Sequence, residues 1–445
     1  MTSPSTDQVS PQTLRRVIIA AGIGNFVEWF DFAVYGFLAT TIAQQFFPSG
    51  DASAALLKTF AVFAVAFAFR PLGGIFFGML GDRIGRKRTL AMTILLMAGA
   101  TTLIGLLPTY AAIGVAAPTL LSLIRCAQGF SAGGEYAGAC AYLMEHAPSD
   151  KRAWYGSFVP VSTFSAFAAA AVVAYALEAS LSAEAMGSWG WRLPFLIAAP
   201  LGLVGLYLRW KLDETPAFQA VKQEHAVAHS PLRETLRNHG AAICCLGAFV
   251  SLTALSFYMF TTYFATYLQV AGGLSRAVAL LVSLIALIFA AAICPLAGLY
   301  SDRVGRRVTV MTACVLLIVV VYPSFLMASS GSFAASVVGV MLLAVGAVLC
   351  GVVTAALLSE TFPTRTRYTA SAITYNMAYT IFGGTAPLVA TWLISTTGSN
   401  LSPAFYLIAV AVLALAGGLA LPETSRISLH EVGVEEKGTA PVLSR

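Results

Sequence analysis

Two carboxylates three residues apart, Glu28 and Asp31, sit among aromatic and apolar side chains in GNFVEWFDFAVYGF (residues 24–37). On a helix this spacing puts both on one face. In an apolar medium two ionised carboxylates that close repel each other, so one of them is expected to hold a proton. A carboxyl poised in this way takes up and releases a proton at cellular pH, the property that proton-driven work requires. Two arginines lie in comparable surroundings, Arg70 in FAFRPLGG and Arg125 in RCAQGFSAGGE. Their planar forks suit carboxylates, whether those of Glu28 and Asp31 or one brought by a ligand. Glu135 follows Arg125 by ten residues with Gln128 between them. On one helix that separation is ~15 Å, so the two charges cannot pair with each other and each needs a partner elsewhere.

The elements that carry these groups are membrane spans. The chain has 445 residues, 58% hydrophobic and only 10% charged, with a mean hydropathy of +0.80; a soluble domain carries about 25% charged residues. Twelve stretches reach the ~20 apolar residues that a spanning helix needs: 17–47, 57–80, 89–108, 116–144, 155–177, 191–210, 241–269, 277–300, 308–328, 333–359, 368–396 and 402–421. Strict two-residue alternation is scarce, which argues against a barrel. The fold class is therefore an all-α integral membrane protein. Glu28 and Asp31 fall ~17 and ~21 Å into the first stretch, near mid-membrane, where a charge costs about 2.5–3.5 kcal/mol on the lenient insertion scale. The polar residues before the first span do not read as a cleavable signal.

Basic residues gather in alternate loops: GDRIGRKR (81–88), SDKR (149–152), the segment 209–237, SDRVGRR (301–307) and TRTR (364–367), with Arg15, Arg16 and the tail. The opposite loops hold only Lys58, Arg192 and Arg276. This bias places both termini in the cytoplasm and explains the net charge of +6 without a nucleic-acid partner. Seven cysteines lie in apolar stretches without metal-ligand spacing, so neither a metal nor another cofactor is expected. No phosphate-binding G-x-x-x-x-G-K-[ST] is present, and ATP is not expected to drive the protein.

The chain also repeats itself. GMLGDRIGRKRT (78–89) matches GLYSDRVGRRVT (298–309), and EHAPSDKR (145–152) matches ETFPTRTR (360–367), at offsets of 220 and 215. Two matches at similar offsets indicate duplication, with a substrate site between the halves. The expected organisation is a cytoplasmic leader (1–16), a six-helix bundle (17–211), a cytoplasmic inter-bundle loop (212–240), a second six-helix bundle (241–421) and a cytoplasmic tail (422–445). In the second half the spans carry no Lys, Arg, Asp or Glu; SFYMFTTYFATYLQ (256–269) and TYNMAYTIFGGTAP (374–387) offer hydrogen bonds and rings instead.

The repeated G-x-x-x-D-R-x-G-R, with RCAQGFSAGGE, resembles the major facilitator superfamily. GNFVEWFDFAVYGF, RPLGGIFFGMLGDRIGR, AQGFSAGGEYAGA, WGWRLPF and ETPAFQ resemble its bacterial metabolite:proton symporters, over residues 20–423. The resemblance implies twelve helices in two pseudo-symmetric bundles, in the cell (inner) membrane. It implies import of a small organic acid or zwitterion with protons, by alternating access. The first half, through GLYLRWKLDETPAFQ, is similar to proline/betaine transporters; SFYMFTTYFATYL and IFGGTAP are similar to 2-oxoglutarate and citrate permeases. Glu28, Asp31 and Glu135 become candidates for proton coupling, and Arg70 and Arg125 for their charge partners or for the substrate carboxylate. Trp29, Tyr35, Gln128, Tyr258, Thr262, Tyr263, Asn376 and Tyr379 are candidate lining residues. Gly78, Asp82, Arg83, Gly85 and Arg86, with Asp302, Arg303, Gly305 and Arg306, would form latches that hold the cytoplasmic side shut.

Three other classes fit less well. An exporter of small organic molecules would share the fold, but YGSFVPVSTFSAFAAAAVVAYAL lacks the G-P-x-x-x-G-G of such proteins. GFSAG (129–133) matches the G-x-S-x-G of serine hydrolases, yet it lies in a Gly-rich apolar helix and not on the strand-to-helix turn that elbow requires. A channel would need a ring of like groups, and the charge here is confined to one half.

Overall fold

The computed structural model describes residues 11–84, 86–134, 136, 140, 143, 144, 147, 148, 150–211, 231–362 and 367–425. All regular structure among them is helical. We number twelve elements. α1 joins Pro11–Phe37 to Ala39–Phe46, α2 joins Ala52–Ala68 to Arg70–Ile84, α3 is Arg86–Leu106, and α4 is Ala116–Ser131 with a tight turn at Ala132–Gly134. α5 joins Arg152–Gly156 to Phe158–Ser180, and α6 joins Leu193–Leu196 to Ala198–Lys211. α7 runs from Pro231–Tyr258 through a π-helical turn at Met259–Tyr263 into Phe264–Val270. α8 is Arg276–Val304, α9 Arg306–Ala328 and α10 Phe333–Glu360. α11 is Arg367–Ala378, a second π turn at Tyr379–Gly383, and Ala386–Thr397; α12 is Ser402–Leu419. Among the described residues nine helices are long and apolar enough to span a membrane, ten with the bent α1; α3 and α4 complete the twelve.

Several breaks have local causes. Pro71 has no N–H to give the carbonyl of Phe67, four residues back, and α2 is interrupted at Phe69. The hydroxyl of Thr380, on α11, donates to that carbonyl at 3.0 Å. α1 turns by 63° after Phe37. α7 starts at Pro231, before the apolar stretch begins, because proline suits the first helical turn and PLRETLR supplies good helix formers.

Glycines set how closely helices approach. A Cβ on Gly73 would overlap the Phe130 carbonyl, one on Gly129 the Ala66 carbonyl, and one on Gly133 the Arg70 carbonyl. α2 and α4 therefore meet backbone to backbone, as small residues allow in membranes. Gly36 likewise admits α7: its missing Cβ would lie 2.7 Å from the Thr262 methyl. The first six helices touch the last six along α1–α7, α2–α11 and α5–α8.

Gly129→Ala is expected to lower the melting temperature of the detergent-purified protein by the equivalent of about 1–3 kcal/mol, because backbone must move to admit the methyl. Gly99→Ala on α3, where nothing lies within 4 Å, should be neutral or slightly stabilising. Equal melting temperatures for the two variants would show that the α2–α4 contact is not tight.

Candidate functional site

The four charged groups of the first half converge. Glu28, Asp31, Arg70 and Arg125 are all 5% exposed or less, a placement that only mutual compensation permits. Arg70 Nη2 lies 3.9 Å from Glu28 Oε1 and donates to the Ala132 carbonyl at 3.3 Å. Its guanidinium rests 5.3 Å from the Phe67 ring centre and 5.8 Å from that of Phe32. Arg125 Nη1 donates to Gln128 Oε1 at 2.8 Å, and Gln128 Nε2 donates to Thr101 Oγ1 at 2.6 Å. Rings flank the Arg125 guanidinium: Tyr35 at 4.2 Å, Phe63 at 5.2 Å and Phe32 at 5.4 Å. Asp31 lies within electrostatic range of Glu28 and Arg125, and neither of its oxygens makes a hydrogen bond among the described residues. Glu28 thus pairs with Arg70, while Asp31 feels both Glu28 and Arg125.

The second half meets this cluster with rings and neutral polar groups. Tyr258 lies edge-on to Phe67 at 5.2 Å and 6.3 Å from Trp29. Trp29 is fixed from behind, its indole N–H donating to Asn25 at 2.9 Å; the Asn25 amide donates in turn to Ser162 at 2.8 Å and Thr163 at 2.7 Å. Asn376 donates to the Gly133 carbonyl at 3.1 Å. Tyr136 stacks on Tyr375 at 4.6 Å, and Tyr375 on Tyr379 at 3.9 Å, so one column of rings crosses between the halves. Both π turns fall here, at Met259–Tyr263 and Tyr379–Gly383; such turns shift helical register and recur at functional sites.

Most of the predicted lining residues therefore share one region. Tyr35 is there, but its hydroxyl donates to the Thr59 carbonyl at 3.0 Å and its ring faces Arg125. Thr262 packs over Gly36, and Tyr263 leans on Phe60 and Tyr267, further along α7. Glu135 lies outside the described residues, as do the side chains of Gly78, Asp82, Arg83, Gly85 and Arg86.

At the end that carries the basic loops, α5 and α8 close on each other. Asp302 accepts the backbone N–H groups of Ala153 (3.0 Å) and Trp154 (2.8 Å), at the N-terminus of α5. Arg306, on α9, binds Asp302 at 2.9 Å and both oxygens of Glu360 at 3.1 Å. Arg152, from the first half, lies 3.9 Å from Glu360. Gly305 turns the chain between α8 and α9 at φ +93°, a conformation open to glycine, and Arg303 is exposed. Four residues here were not singled out as site candidates from sequence: Arg152, Glu360, Glu423 and Thr424. The repeated E-x-x-P-x-x-x-R was the signal for Glu360. Thr424 donates to Glu360 at 2.8 Å, while Glu423 accepts the N–H groups of Arg306 (2.8 Å) and Arg307 (3.1 Å). At the opposite end, Arg276 meets Glu178 at 3.6 Å and Thr40 meets Gln269 at 3.3 Å.

A twelve-helix bundle whose buried charges face a neutral second half is the architecture of a multi-pass membrane transporter, not of an enzyme. The chain belongs to the major facilitator superfamily, whose family model matches residues 21–384 and 295–444. It is 38% identical to a proline/betaine transporter of Salmonella typhimurium over 97% of this chain and 86% of that one. It is also 38% identical to a glycine betaine/proline/ectoine/pipecolic acid transporter of Dickeya dadantii, with the same coverage. An ectoine/proline transporter of Corynebacterium glutamicum is 36% identical over 96% of this chain and 87% of its own. The fold matches the proton:xylose symporter XylE bound to 6-bromo-6-deoxy-D-glucose, with a TM-score of 0.74, 18% identity, and coverage of 95% and 99% of the two chains.

The Glu423 cap carries a pH signature. Partial burial opposes ionisation, but the N–H groups of Arg306, Ser425 and Arg307 outweigh it and hold the carboxyl below its usual value. A depressed carboxyl stabilises the fold above its unfolded value and loses that contribution as pH falls through the folded one. Glu423→Gln should therefore melt earlier than the parent at neutral pH, with the gap closing as pH falls through and below the ordinary carboxylate range. A gap that stays constant with pH would rule out the charged cap.

Proposed function

We propose that this protein is a proton-coupled symporter of the inner membrane that imports a compatible solute of the proline/betaine kind by alternating access. The bundles would be residues 17–211 and 241–421, joined by a cytoplasmic loop at 212–240, with both termini cytoplasmic. The observation that carries the reading is the division of labour at the centre: the charged groups all come from the first half, and the second half adds tyrosine faces and neutral polar groups to the rings already there. A zwitterion with a carboxylate and a cationic nitrogen suits both. Guanidinium groups receive the carboxylate, and aromatic faces such as those of Trp29, Tyr258 and Tyr379 attract a quaternary or secondary ammonium. A tricarboxylate would need more cationic groups than Arg70 and Arg125, since the spans of the second half carry none. The names of the 38%-identical relatives point the same way.

In this mechanism Asp31, near Arg125, is the proton carrier. With Asp31 ionised, Arg125 is balanced within the first half. A proton on Asp31 leaves the four-group cluster with one positive charge in excess, and a substrate carboxylate entering the cluster restores its net neutrality in the loaded, closed site. The Asp302–α5 contact would shut the cytoplasmic side while the other side is open. The Glu178–Arg276 and Thr40–Gln269 contacts would do the converse.

The test is proton flux into proteoliposomes that hold the purified protein and an internal pH dye. Proline or glycine betaine should acidify the interior, and 2-oxoglutarate and citrate should not. Asp31→Asn should abolish acidification while retaining substrate exchange. Uptake without acidification by the parent protein would make it a uniporter and return Asp31 to a structural role.

A further inference from the structure

The two buried arginines differ in what surrounds their unused donors. Arg70 spends Nη2 on Ala132 and Glu28, and its Nε and Nη1 make no hydrogen bond although the residue is 1% exposed. The hydroxyls of Tyr258 and Tyr375, on side chains 0% and 2% exposed, also make no hydrogen bond among the described residues. Arg70 and Tyr258 both lie on the Phe67 ring, at 5.3 and 5.2 Å, and Tyr258 is linked through Tyr379, at 6.1 Å, to Tyr375, at 3.9 Å from Tyr379. Four buried polar atoms on one connected aromatic cluster thus have hydrogen-bonding capacity unspent, which costs free energy unless a ligand uses it. Two are guanidinium donors and two are hydroxyls that can donate. A carboxylate is a pure acceptor with about four sites.

Arg125 offers a different setting. Its Nε and Nη2 are also open, but the contacts around its charge come from the first half: rings of Phe32, Tyr35 and Phe63, the amide of Gln128 and the charge of Asp31. Arg70 shares the Phe67 ring with Tyr258 of the second half. Arg70 is on α2, Tyr258 on α7 and Tyr375 on α11, so a ligand held by all three spans the two halves, as a carried substrate must.

We propose that Arg70 with the hydroxyls of Tyr258 and Tyr375 forms the seat of the substrate carboxylate, and that Arg125 lies outside it. The assignment rests on the compatible-solute reading and deepens it. The Tyr136–Tyr375–Tyr379 ring column holds Tyr375 in place with or without its hydroxyl, so removing that one atom tests the seat without dismantling the wall.

The experiment is equilibrium binding to the full-length protein in nanodiscs, with glycine betaine and choline as probes. Both carry a trimethylammonium group, and only glycine betaine carries a carboxylate. The parent protein should prefer glycine betaine by at least about tenfold, the scale of one hydrogen bond to a charged group. Tyr375→Phe and Tyr258→Phe should each weaken glycine betaine about tenfold and leave choline within about twofold. Retained preference in both Phe variants, with its loss in Arg125→Lys, would move the carboxylate to Arg125 and overturn the assignment. A parent protein that binds neither glycine betaine nor proline would instead defeat the compatible-solute reading, and the seat with it. Monodisperse elution of each variant separates lost binding from lost folding.

Discussion

Ionised groups in a hydrocarbon environment must find compensation inside the protein, and the centre of this molecule is built around that constraint. Glu28, Asp31, Arg70 and Arg125 come from α1, α2 and α4, and no two of these helices could bury their charges alone. The helices must therefore lie close. The glycines at 73, 129 and 133 let α2 and α4 touch along their backbones, and Arg70 reaches α1 on one side and the Ala132 carbonyl on the other. Close approach and charge compensation are two sides of one solution.

The same economy governs the helix breaks. A proline and a tight turn each release carbonyls that cannot be left bare in lipid. Phe67 and Gly133 have such carbonyls, and α11 supplies a donor to each, from Thr380 and Asn376. Both donors come from α11, where the halves meet. Charges at the basic-loop end follow a looser rule: Asp302, Arg306, Glu360 and Arg152 form a network in which each carboxylate has more than one partner.

Much of this was legible in the residues. Acids in an apolar aromatic run have few explanations, so Glu28 and Asp31 stood out from composition alone. The repeat exposed the α8–α9 turn, because Gly305 and Asp302 need fixed places to do their work. What stayed hidden depends on long-range contact. The donor for Phe67 lies 313 residues away, and no local pattern marks Thr380 as its partner. Asn25 reads as one polar residue in a helix; that it holds Trp29 against α5 is a property of packing. The π turns were invisible too, since apolar periodicity barely changes when one residue is inserted into a helix. Tyr375 was passed over beside Asn376 and Tyr379 because spacing alone cannot say which tyrosine of a cluster keeps an unsatisfied hydroxyl.

The central and basic-end hydrogen bonds between the halves share a polarity of their own. Asp302, Asn376 and Thr380 are side chains of the second half, and the atoms they hold in the first are peptide groups: the N–H of Ala153 and Trp154, and the carbonyls of Gly133 and Phe67. Peptide groups survive mutation. At Phe67 and Trp154 the first half can drift in sequence without losing its partner, as long as the helix persists, whereas a single change at Asp302, Asn376 or Thr380 removes the bond outright. At these contacts the recognition is written in the side chains of the second half, and the first half contributes only its backbone.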